Sequence, residues 1–230
     1  GIPGADEPGM LKGAVQAVME VTDAPISIDS STPEALEAAL PAYKGKALVN
    51  SVTGEDEVLE RLLPLIRKYG AAVIGIANDD TGISNDPHER FKIARKIVER
   101  AADHGIPKED VIIDPLCMPI GANHEFGRIT FETMRLIREG LGVNMSVGAG
   151  NVGFGLPDLP PLTASFVLLG MQCGLTAAIT NALEPEIYKM ILAGDLMLGR
   201  DSFGKKWNAH FRKASAAKAA APVTSSSPTA

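Results

Sequence analysis

The sequence predicts an α/β fold, a (β/α)8 barrel in which roughly the first two strands are absent. Short apolar runs alternate strictly with amphipathic helical segments, and this alternation is typical of parallel strands joined by crossover helices. The runs are apolar on both faces, as strands covered by helices must be. Nearly every run ends in Asp or Asn, which favours a barrel because barrel enzymes carry functional side chains at the carboxyl ends of their strands.

Six segments are predicted strands, and helical patterns separate them. The strands cover Pro25 to Asp29, Lys46 to Ser51, Ala71 to Asp79, Asp110 to Pro115, Asn144 to Asn151 and Leu175 to Ala182. The helices cover Glu7 to Val21, Thr32 to Leu40, Glu55 to Tyr69, Asp86 to His104, Thr130 to Glu139, Leu162 to Cys173 and Pro185 to Leu198. We expect the barrel to occupy residues 1–212, ahead of a disordered tail, 213–230, that is rich in Ala, Ser, Pro and Thr.

An open, doubly wound sheet is the alternative architecture. A nucleotide-binding sheet of that kind shows a glycine-rich turn after its first strand, and no such turn follows Asp29 or Asn50. The barrel is therefore favoured, although six parallel strands do not close a barrel of this kind. Because the chain starts with a loop-like sequence, GIPG, we expect two strands to lie upstream and the strand from Pro25 to Asp29 to form an exposed edge.

The composition argues against several kinds of function. The net charge is −6 and Lys and Arg form no cluster, so we expect no nucleic-acid partner. No apolar run approaches the ~18 residues of a membrane span, so we expect no membrane partner. Cys117 and Cys173 fit no disulfide or metal spacing, which predicts buried thiols in a reducing, cytoplasmic compartment. The four histidines are scattered, and no metal site is predicted.

The polar strand ends predict a shared site. They read Asp29-Ser30, Asn50-Ser51, Asn78-Asp79, Asp114-Pro115, Gly150-Asn151 and Asn181. Asp, Asn and Ser also cap helices and form turns, which explains some of these residues singly. It explains less well why Asp29 comes directly after the apolar run, when Ser30, Ser31 and Thr32 are available as caps. A rim of carboxylates and amides without Lys or Arg suits a neutral heterocycle that is rich in hydrogen-bond donors.

Several of these segments together resemble the pterin-binding methyltransferases. The resemblance is carried by PISIDSS, ALVNSVTGE, AAVIGIANDDTGIS, DVIIDPLCMPIG, VGAGNVGFGLP and LTAAITNA, in this order and from about Gly1 to Phe211. It implies a (β/α)8 barrel of the pterin-binding type whose first two strands are absent here. It also implies transfer of methyl groups, in one-carbon metabolism, between methyltetrahydrofolate and the cobalamin of a separate corrinoid protein.

The resemblance assigns roles to four residues. Asp29, Asn50 and Asp114 correspond to the side chains that hold the amino-pyrimidine edge of the pterin in the family. Asn151 corresponds to an Asn that hydrogen-bonds near N5, the atom that bears the methyl group. The family often has Ser where this chain has Gly150. Asn151 and Asp29 are the expected catalytic residues, with Asp29 relaying a proton to N5 through water.

The related dihydropteroate synthases remain an alternative, as does an inactive barrel or a subunit completed by another chain. Those synthases carry Lys or Arg in the loops after the sixth and seventh barrel strands. The corresponding loops here, PLCMPIGAN and GNVGFGLP, contain neither residue, which disfavours a pyrophosphate substrate. This chain contains no recognisable cobalamin-binding module, so a corrinoid protein is the expected partner, and we also expect a homodimer.

Overall fold

The computed structural model describes residues 6–220, with side chains to residue 212. Five strands are present: β1 (Ser27–Asp29), β2 (Leu48–Thr53), β3 (Ala72–Ile76), β4 (Val111–Asp114) and β5 (Asn144–Met145). The helices are α1 (Glu7–Val21), α2 (Pro33–Ala39), α3 (Asp56–Lys68), α4 (Pro87–Asp103), α5 (Phe126–Gly140), α6 (Leu159–Cys173), α7 (Pro185–Met197) and α8 (Lys205–Ala220). Strands and helices therefore alternate from α1 to α6 as the sequence predicts, whereas α6, α7 and α8 follow one another without an intervening strand.

The helices form because apolar residues recur on one face of each. In α3, Leu59, Leu62, Leu63 and Ile66 follow the three- and four-residue spacing of a single helical face, and all four are buried. Local signals set the helix starts. Asp86 caps α4 by accepting a hydrogen bond from His88 N at 2.8 Å, and a proline occupies the first turn.

The sheet is parallel and its strand order follows the chain, β1-β2-β3-β4-β5. Ile28 pairs with Val49, Val49 with Val73, and Val73 with Val111. β1 pairs only with β2, so it is an edge of the sheet, as the sequence predicts. Within the described residues the sheet does not close on itself, and the prediction of an incomplete barrel is confirmed.

The two faces of the sheet differ in chemistry because side chains alternate along each strand. The helix-facing side carries Ile28, Val49, Val73 and Val111, all of which are buried in the main core with α2 to α5. The opposite side, which we call the inner face, carries Asp29, Asn50, Ile74, Ile112 and, further along, Thr53, Ile76 and Asp114. A register shift between Asn50 and Val52 leaves Ser51 as an extra residue, so Val52 returns to the helices and Thr53 to the inner face.

Two predicted strands are shorter than expected. The segment from Asn144 to Asn151 is a strand only over its first two residues, and Ala149–Gly153 forms a 3-10 helix, because the glycine-rich sequence VGAGNVG turns the chain. The segment from Leu175 to Ala182 contributes only a single parallel bridge between Gly148 and Ile179. Among the described residues its main-chain hydrogen bonds go to β5 and the residues that follow β5, including Ala177 N to Met145 O and Ile179 N to Val147 O, both at 2.9 Å.

Three boundaries also differ from the prediction. α5 begins at Phe126 and α6 at Leu159, three or four residues earlier than the apolar periodicity indicates. α8 runs to Ala220 and so extends into the predicted disordered tail, consistent with the strong helix propensity of its Ala and Lys residues. The remainder of that tail, 221–230, lies outside the described residues, as does the loop-like start at residues 1–5.

Gly75 illustrates how closely the helices pack on the sheet. A Cβ atom at this position would lie 2.6 Å from Ile97 Cγ2 of α4. We therefore expect Gly75→Ala to destabilise the fold by about 1–3 kcal/mol through overpacking. Gly13→Ala in α1 is the matched control, because its Cβ would meet no atom within 4 Å, and it should stabilise by about 0.5–1 kcal/mol. Urea unfolding measures both, and equal effects at the two positions would contradict the packing argument.

Candidate functional site

Three of the four predicted site residues lie on the inner face near the carboxyl ends of their strands. Asp29 of β1 is the direct register partner of Asn50 of β2. Asp114 ends β4 and pairs with Ile76, two strands away from β2. Adjacent strands lie about 4.8 Å apart and each residue rises about 3.3 Å, so Asn50 and Asp114, which are two strands and two register positions apart, stand roughly 12 Å from each other across β3. Ile74 and Ile76 of β3 lie between them, so the polar groups flank an apolar floor.

This part of the inner face, which we call the mouth, also contains a residue that sequence reasoning missed. Thr53 lies on the same face as Asp114, at the level of Ile76. Its Oγ1 is buried and has no hydrogen-bond partner among the described residues. In the sequence, Thr53 resembles any β-branched residue of a strand, so nothing marks it as a site residue. Its side chain faces inward only because of the register shift at Ser51.

Asp114 is held in a tight turn that runs from Asp114 to Cys117. Its Oδ1 accepts a hydrogen bond from Leu116 N at 2.8 Å. Leu116 has a φ of 66°, a left-handed conformation that costs a non-glycine residue about 1–2 kcal/mol. The Leu116 carbonyl accepts hydrogen bonds from Arg90 Nη1 at 2.9 Å and Thr130 Oγ1 at 2.8 Å. These contacts maintain the strained turn and therefore the direction of the Asp114 carboxylate.

Burial raises the pKa of Asp114 to about 6, against the opposing effects of the Leu116 N–H and the Arg90 charge. A carboxylate with this pKa is ionised at neutral pH but carries a desolvation cost. A ligand that donates hydrogen bonds to it offsets that cost. The neighbouring thiol is unsuited to nucleophilic catalysis, because burial raises the pKa of Cys117 to about 12.

Asn151 reaches the same end of the sheet from a different element. It lies in the 3-10 helix after β5 and is exposed. The loop that follows the Asp114 turn is joined to this helix by a hydrogen bond from Ile120 N to Val152 O at 3.0 Å. Gly148 provides the space for the Asn151 amide, since a Cβ atom there would lie 3.0 Å from Asn151 Nδ2. A Cβ atom at Gly150 would meet nothing within 4 Å, so a serine would fit at this position.

A cavity of about 650 Å³ opens beside Asn151, between the start of α6, the start of α7 and the loop between residues 179 and 184. Its walls are largely apolar, and its polar groups include Asn151, Asn181, Thr163 and Glu184. Asp29, Asn50 and Asp114 do not line it. The site therefore has two parts: the mouth, with three side chains from neighbouring strands, and this cavity with Asn151. Glu184 was missed because it follows the strand end and resembles an ordinary helix cap.

Asp29 lies on β1 and Asn151 lies in the 3-10 helix after β5, and these two strands are at opposite edges of the sheet. A proton relay from Asp29 to the Asn151 region would therefore have to cross the mouth through water. The shared catalytic role of these two residues stays a prediction.

The remaining sequence predictions concern groups away from this site. Cys117 and Cys173 are both free and buried, as expected. Among the described residues, no three His, Cys, Asp or Glu side chains are grouped closely enough to hold a metal ion. No helix in the described part of the chain combines the length and apolarity needed to cross a membrane.

Comparison with known proteins identifies the family. A family model described as pterin binding enzyme matches residues 2–181, which include all four predicted site residues. This chain belongs to the pterin-binding enzymes. The methylcorrinoid:tetrahydrofolate methyltransferase of Eubacterium limosum is 30% identical to it over 206 residues, covering 88% of this chain and 76% of that protein. The resemblance to pterin-binding methyltransferases is confirmed by this relative.

Solved structures support the same fold. The dihydropteroate synthase of Yersinia pestis, in a structure with a pterin–sulfa conjugate, matches with a TM-score of 0.64 at 15% identity over 86% of this chain and 78% of that one. The dihydropteroate synthase of Clostridium difficile, in the presence of pteroic acid, matches with a TM-score of 0.65 at 23% identity over 85% and 78%. At these identities the likeness concerns the fold alone. The pterin-binding enzyme described here is therefore a partial (β/α)8 barrel.

The pKa of Asp114 predicts how stability depends on pH. The folded value of about 6 exceeds the ordinary 3.8, so stability should fall as pH rises from about 4 to about 6. Asp114→Asn removes this cost while its amide oxygen still accepts from Leu116 N. We expect the variant to be more stable than wild type by up to about 3 kcal/mol at pH 7.5, and by much less at pH 4.

Urea unfolding at the two pH values measures this difference. Asp80→Asn removes an exposed carboxylate and serves as the control, for which no comparable gain is expected. Equal stability of Asp114→Asn and wild type at pH 7.5 would show that burial of the carboxylate carries no cost.

Proposed function

We propose that this pterin-binding enzyme transfers a methyl group between 5-methyltetrahydrofolate and the cob(I)alamin of a separate corrinoid protein. The observation that carries the proposal is the mouth: two carboxylates and an amide on one inner face, with an apolar floor between them. The relative from Eubacterium limosum supports the same reaction class.

The polar groups of the mouth suit the amino-pyrimidine edge of a pterin. That edge presents ring N–H and amino donors beside acceptor atoms, so it needs carboxylate acceptors together with an amide that both donates and accepts. Asp114 and Asp29 supply the acceptors, and Asn50 supplies the amide. The flat ring would rest on Ile74 and Ile76, which are apolar and lie between these polar groups.

Asn151 has the position and freedom to assist the reacting atom. Methyl transfer from the folate breaks the N5–CH₃ bond as the methyl bonds to the cob(I) nucleophile, and the electron pair returns to N5. A proton or a strong hydrogen bond at N5 makes this amine a better leaving group. The Asn151 side chain makes no hydrogen bond among the described residues and is exposed, so its amide is available to N5.

A dihydropteroate synthase is the second candidate, and the chemistry of the loops disfavours it. The loops from Pro115 to Glu125 and from Gly148 to Asp158 contain no Lys or Arg to bind a pyrophosphate. A buried cation behind them, Arg90, directs hydrogen bonds to backbone carbonyls instead. The structural likeness to synthases extends to the fold and not to this chemistry.

We infer that the methyl acceptor is carried by a partner, because residues 6–220 show no cobalamin-binding module beside the barrel elements. We propose a corrinoid protein that docks over the mouth, and a cytoplasmic location in keeping with the two free thiols. We also propose a homodimer. An apolar surface on α6, α7 and the segment after them supports it, with Leu169, Met197 and Phe203 exposed by 53%, 76% and 95%.

Two substitutions separate binding from transfer. Asn151→Ala should lower methyl transfer more than it weakens binding of 5-methyltetrahydrofolate, because charge develops on N5 only as the methyl leaves. Asp114→Asn should instead weaken binding by about 1–3 kcal/mol, because it removes a charged acceptor that is used before and during transfer. Equilibrium titration and single-turnover transfer to free cob(I)alamin measure the two effects.

Asn144→Ala is the matched control, since Asn144 is exposed at the amino end of β5 and should alter neither quantity. If Asn151→Ala reduces binding and transfer equally, the role given to Asn151 is wrong. If wild type neither binds 5-methyltetrahydrofolate nor demethylates it, the proposed function fails.

The dimer is tested by a charge on its proposed surface. Met197→Lys should shift the protein towards monomer by at least about 10-fold in dissociation constant, because a lysine at the centre of an apolar interface loses hydration. Met10→Lys is the control, because Met10 is also exposed, by 61%, but lies on α1, and it should leave the association unchanged. Sedimentation equilibrium measures both, and a monomeric wild type would contradict the proposal.

A further inference from the structure

Arg90 is the largest charged side chain in the core, and it makes an unusual set of contacts. It is fully buried on α4, yet no carboxylate lies within ion-pair distance of it among the described residues. Nε and Nη1 donate to main-chain oxygens: Nε to Ser84 O at 2.7 Å, and Nη1 to Pro115 O at 3.0 Å and Leu116 O at 2.9 Å. Nη2 is buried and has no hydrogen-bond partner among the described residues. One side chain thereby fastens the loop after β3 to the turn after β4.

Both fastened segments border the mouth. Ser84 belongs to the loop that leaves the carboxyl end of β3, and Pro115 and Leu116 follow Asp114 directly. Leu116 links Arg90 to Asp114, since its carbonyl accepts a hydrogen bond from Arg90 Nη1 and its N–H donates to Asp114 Oδ1 at 2.8 Å. Loss of the Arg90 contacts would leave the Leu116 carbonyl held by Thr130 Oγ1, and would therefore loosen the left-handed Leu116 and the Asp114 carboxylate bonded to its N–H.

A structural role alone accounts poorly for this residue. A buried charge is expensive, and an apolar side chain of similar volume often stabilises a core as well or better. Arg90 occupies a position on the apolar face of α4, in line with Ile93, Ala94 and Ile97, where an aliphatic residue would fit the helical pattern. The forked guanidinium supplies what an aliphatic residue lacks, namely three directed hydrogen bonds and a fixed positive charge behind Asp114.

We propose that Arg90 is a positioning residue of the pterin site, which holds the Asp114 carboxylate in its binding direction and in its ionised form. The proposal rests on the proposed function for its ligand, while its geometry stands apart from the reaction. Arg90 does not contact the mouth itself and acts through the turn from Asp114 to Cys117.

Within the described residues, few charged or titratable groups lie near enough to Asp114 to affect its pKa. Arg90, from α4, is the charged side chain that shifts the pKa of Asp114, and the Cys117 thiol, from the same turn, is a titratable group whose pKa Asp114 in turn raises. The thiol is neutral at the pH values of interest because burial raises its pKa to about 12. The Arg90 charge lowers the pKa of Asp114 and opposes the effect of burial. Removal of the charge should therefore raise this pKa further, by about one unit or more.

The experiment compares Arg90→Met, which removes the charge, with Arg90→Lys, which keeps the charge but loses the forked hydrogen bonds. Carboxyl ¹³C NMR of the whole protein follows the titration of Asp114, assigned with Asp114→Asn. A parallel titration with 5-methyltetrahydrofolate gives the dissociation constant as a function of pH. Arg95→Met is the matched control, because Arg95 lies on the same helix with its guanidinium over the Phe91 ring, 4.8 Å from the centroid.

We expect Arg90→Met to raise the Asp114 midpoint by about one unit or more and to weaken pterin binding at pH 7 by roughly 10-fold. Arg90→Lys should keep the midpoint near that of wild type but still weaken binding, by roughly 3- to 10-fold, because the turn is less well held. Arg95→Met should change neither. A folded Arg90→Met with an unchanged midpoint and an unchanged dissociation constant would overturn the proposal.

Two further experimental outcomes also decide between support for the proposal and its rejection. If Arg90→Met does not fold, Arg90→Lys decides the question: weaker binding with an unchanged midpoint supports the proposal, and unchanged binding overturns it. If wild type binds no pterin, the proposed function fails, but the Asp114 titration still tests the inference, since a raised midpoint in Arg90→Met supports the arrangement and an unchanged midpoint refutes it.

Discussion

The in-register parallel pairing of β1 to β4 is the constraint on which the site depends. Because register partners in a parallel sheet point to the same side, the apolar row from Ile28 to Val111 and the polar row that begins at Asp29 are fixed together. A slip of one residue would bury Asp29 and Asn50 against the helices, at the cost of unpaired polar groups in the core. The hydrophobic core therefore determines which side chains reach the mouth.

The buried carboxylate of Asp114 is stable in the mouth because other contacts already fix the groups around it. Asp114 has one fixed donor, a neighbouring cation whose Nε and Nη1 donate to carbonyl groups, and a pKa of about 6 that leaves it ionised at neutral pH. Part of its hydrogen-bonding capacity is left over, since a carboxylate has about four acceptor sites. A ligand with N–H donors would use that capacity. The same cost of burial that lowers the stability of the free protein thus favours the bound state.

The sequence predicted the architecture well because the architecture depends on patterns that are visible within short segments of the chain. Strand and helix periodicities, and the polar residue directly after each apolar run, are set by the same alternation that builds the sheet. The prediction was less accurate around Asn151, where glycines turn the chain into a 3-10 helix, and around Ile179, where a strand with one neighbour is reduced to a bridge. Those features depend on contacts that are distant in the chain.

Some of the missed residues left a signal and others did not. Arg90 interrupts the apolar face of α4 in phase with Ile93 and Ile97, and a charge at such a position indicates a buried polar contact. Its partners, however, are backbone oxygens, and no sequence pattern identifies those. Thr53 faces inward only because of the register shift at Ser51, which is a property of the β2–β3 pair and not of the β2 sequence.

The two halves of the site differ in how firmly their side chains are held, and this difference matches what the proposed reaction asks of them. Ground-state recognition of a rigid ring is served by groups with fixed directions, such as Asp114 in its strained turn and Asn50 within a paired strand. The Asn151 amide, in contrast, is exposed, makes no hydrogen bond among the described residues and occupies space that Gly148 leaves open. Such a side chain can follow N5 as its charge changes, and it can do so without disturbing the groups that hold the ring.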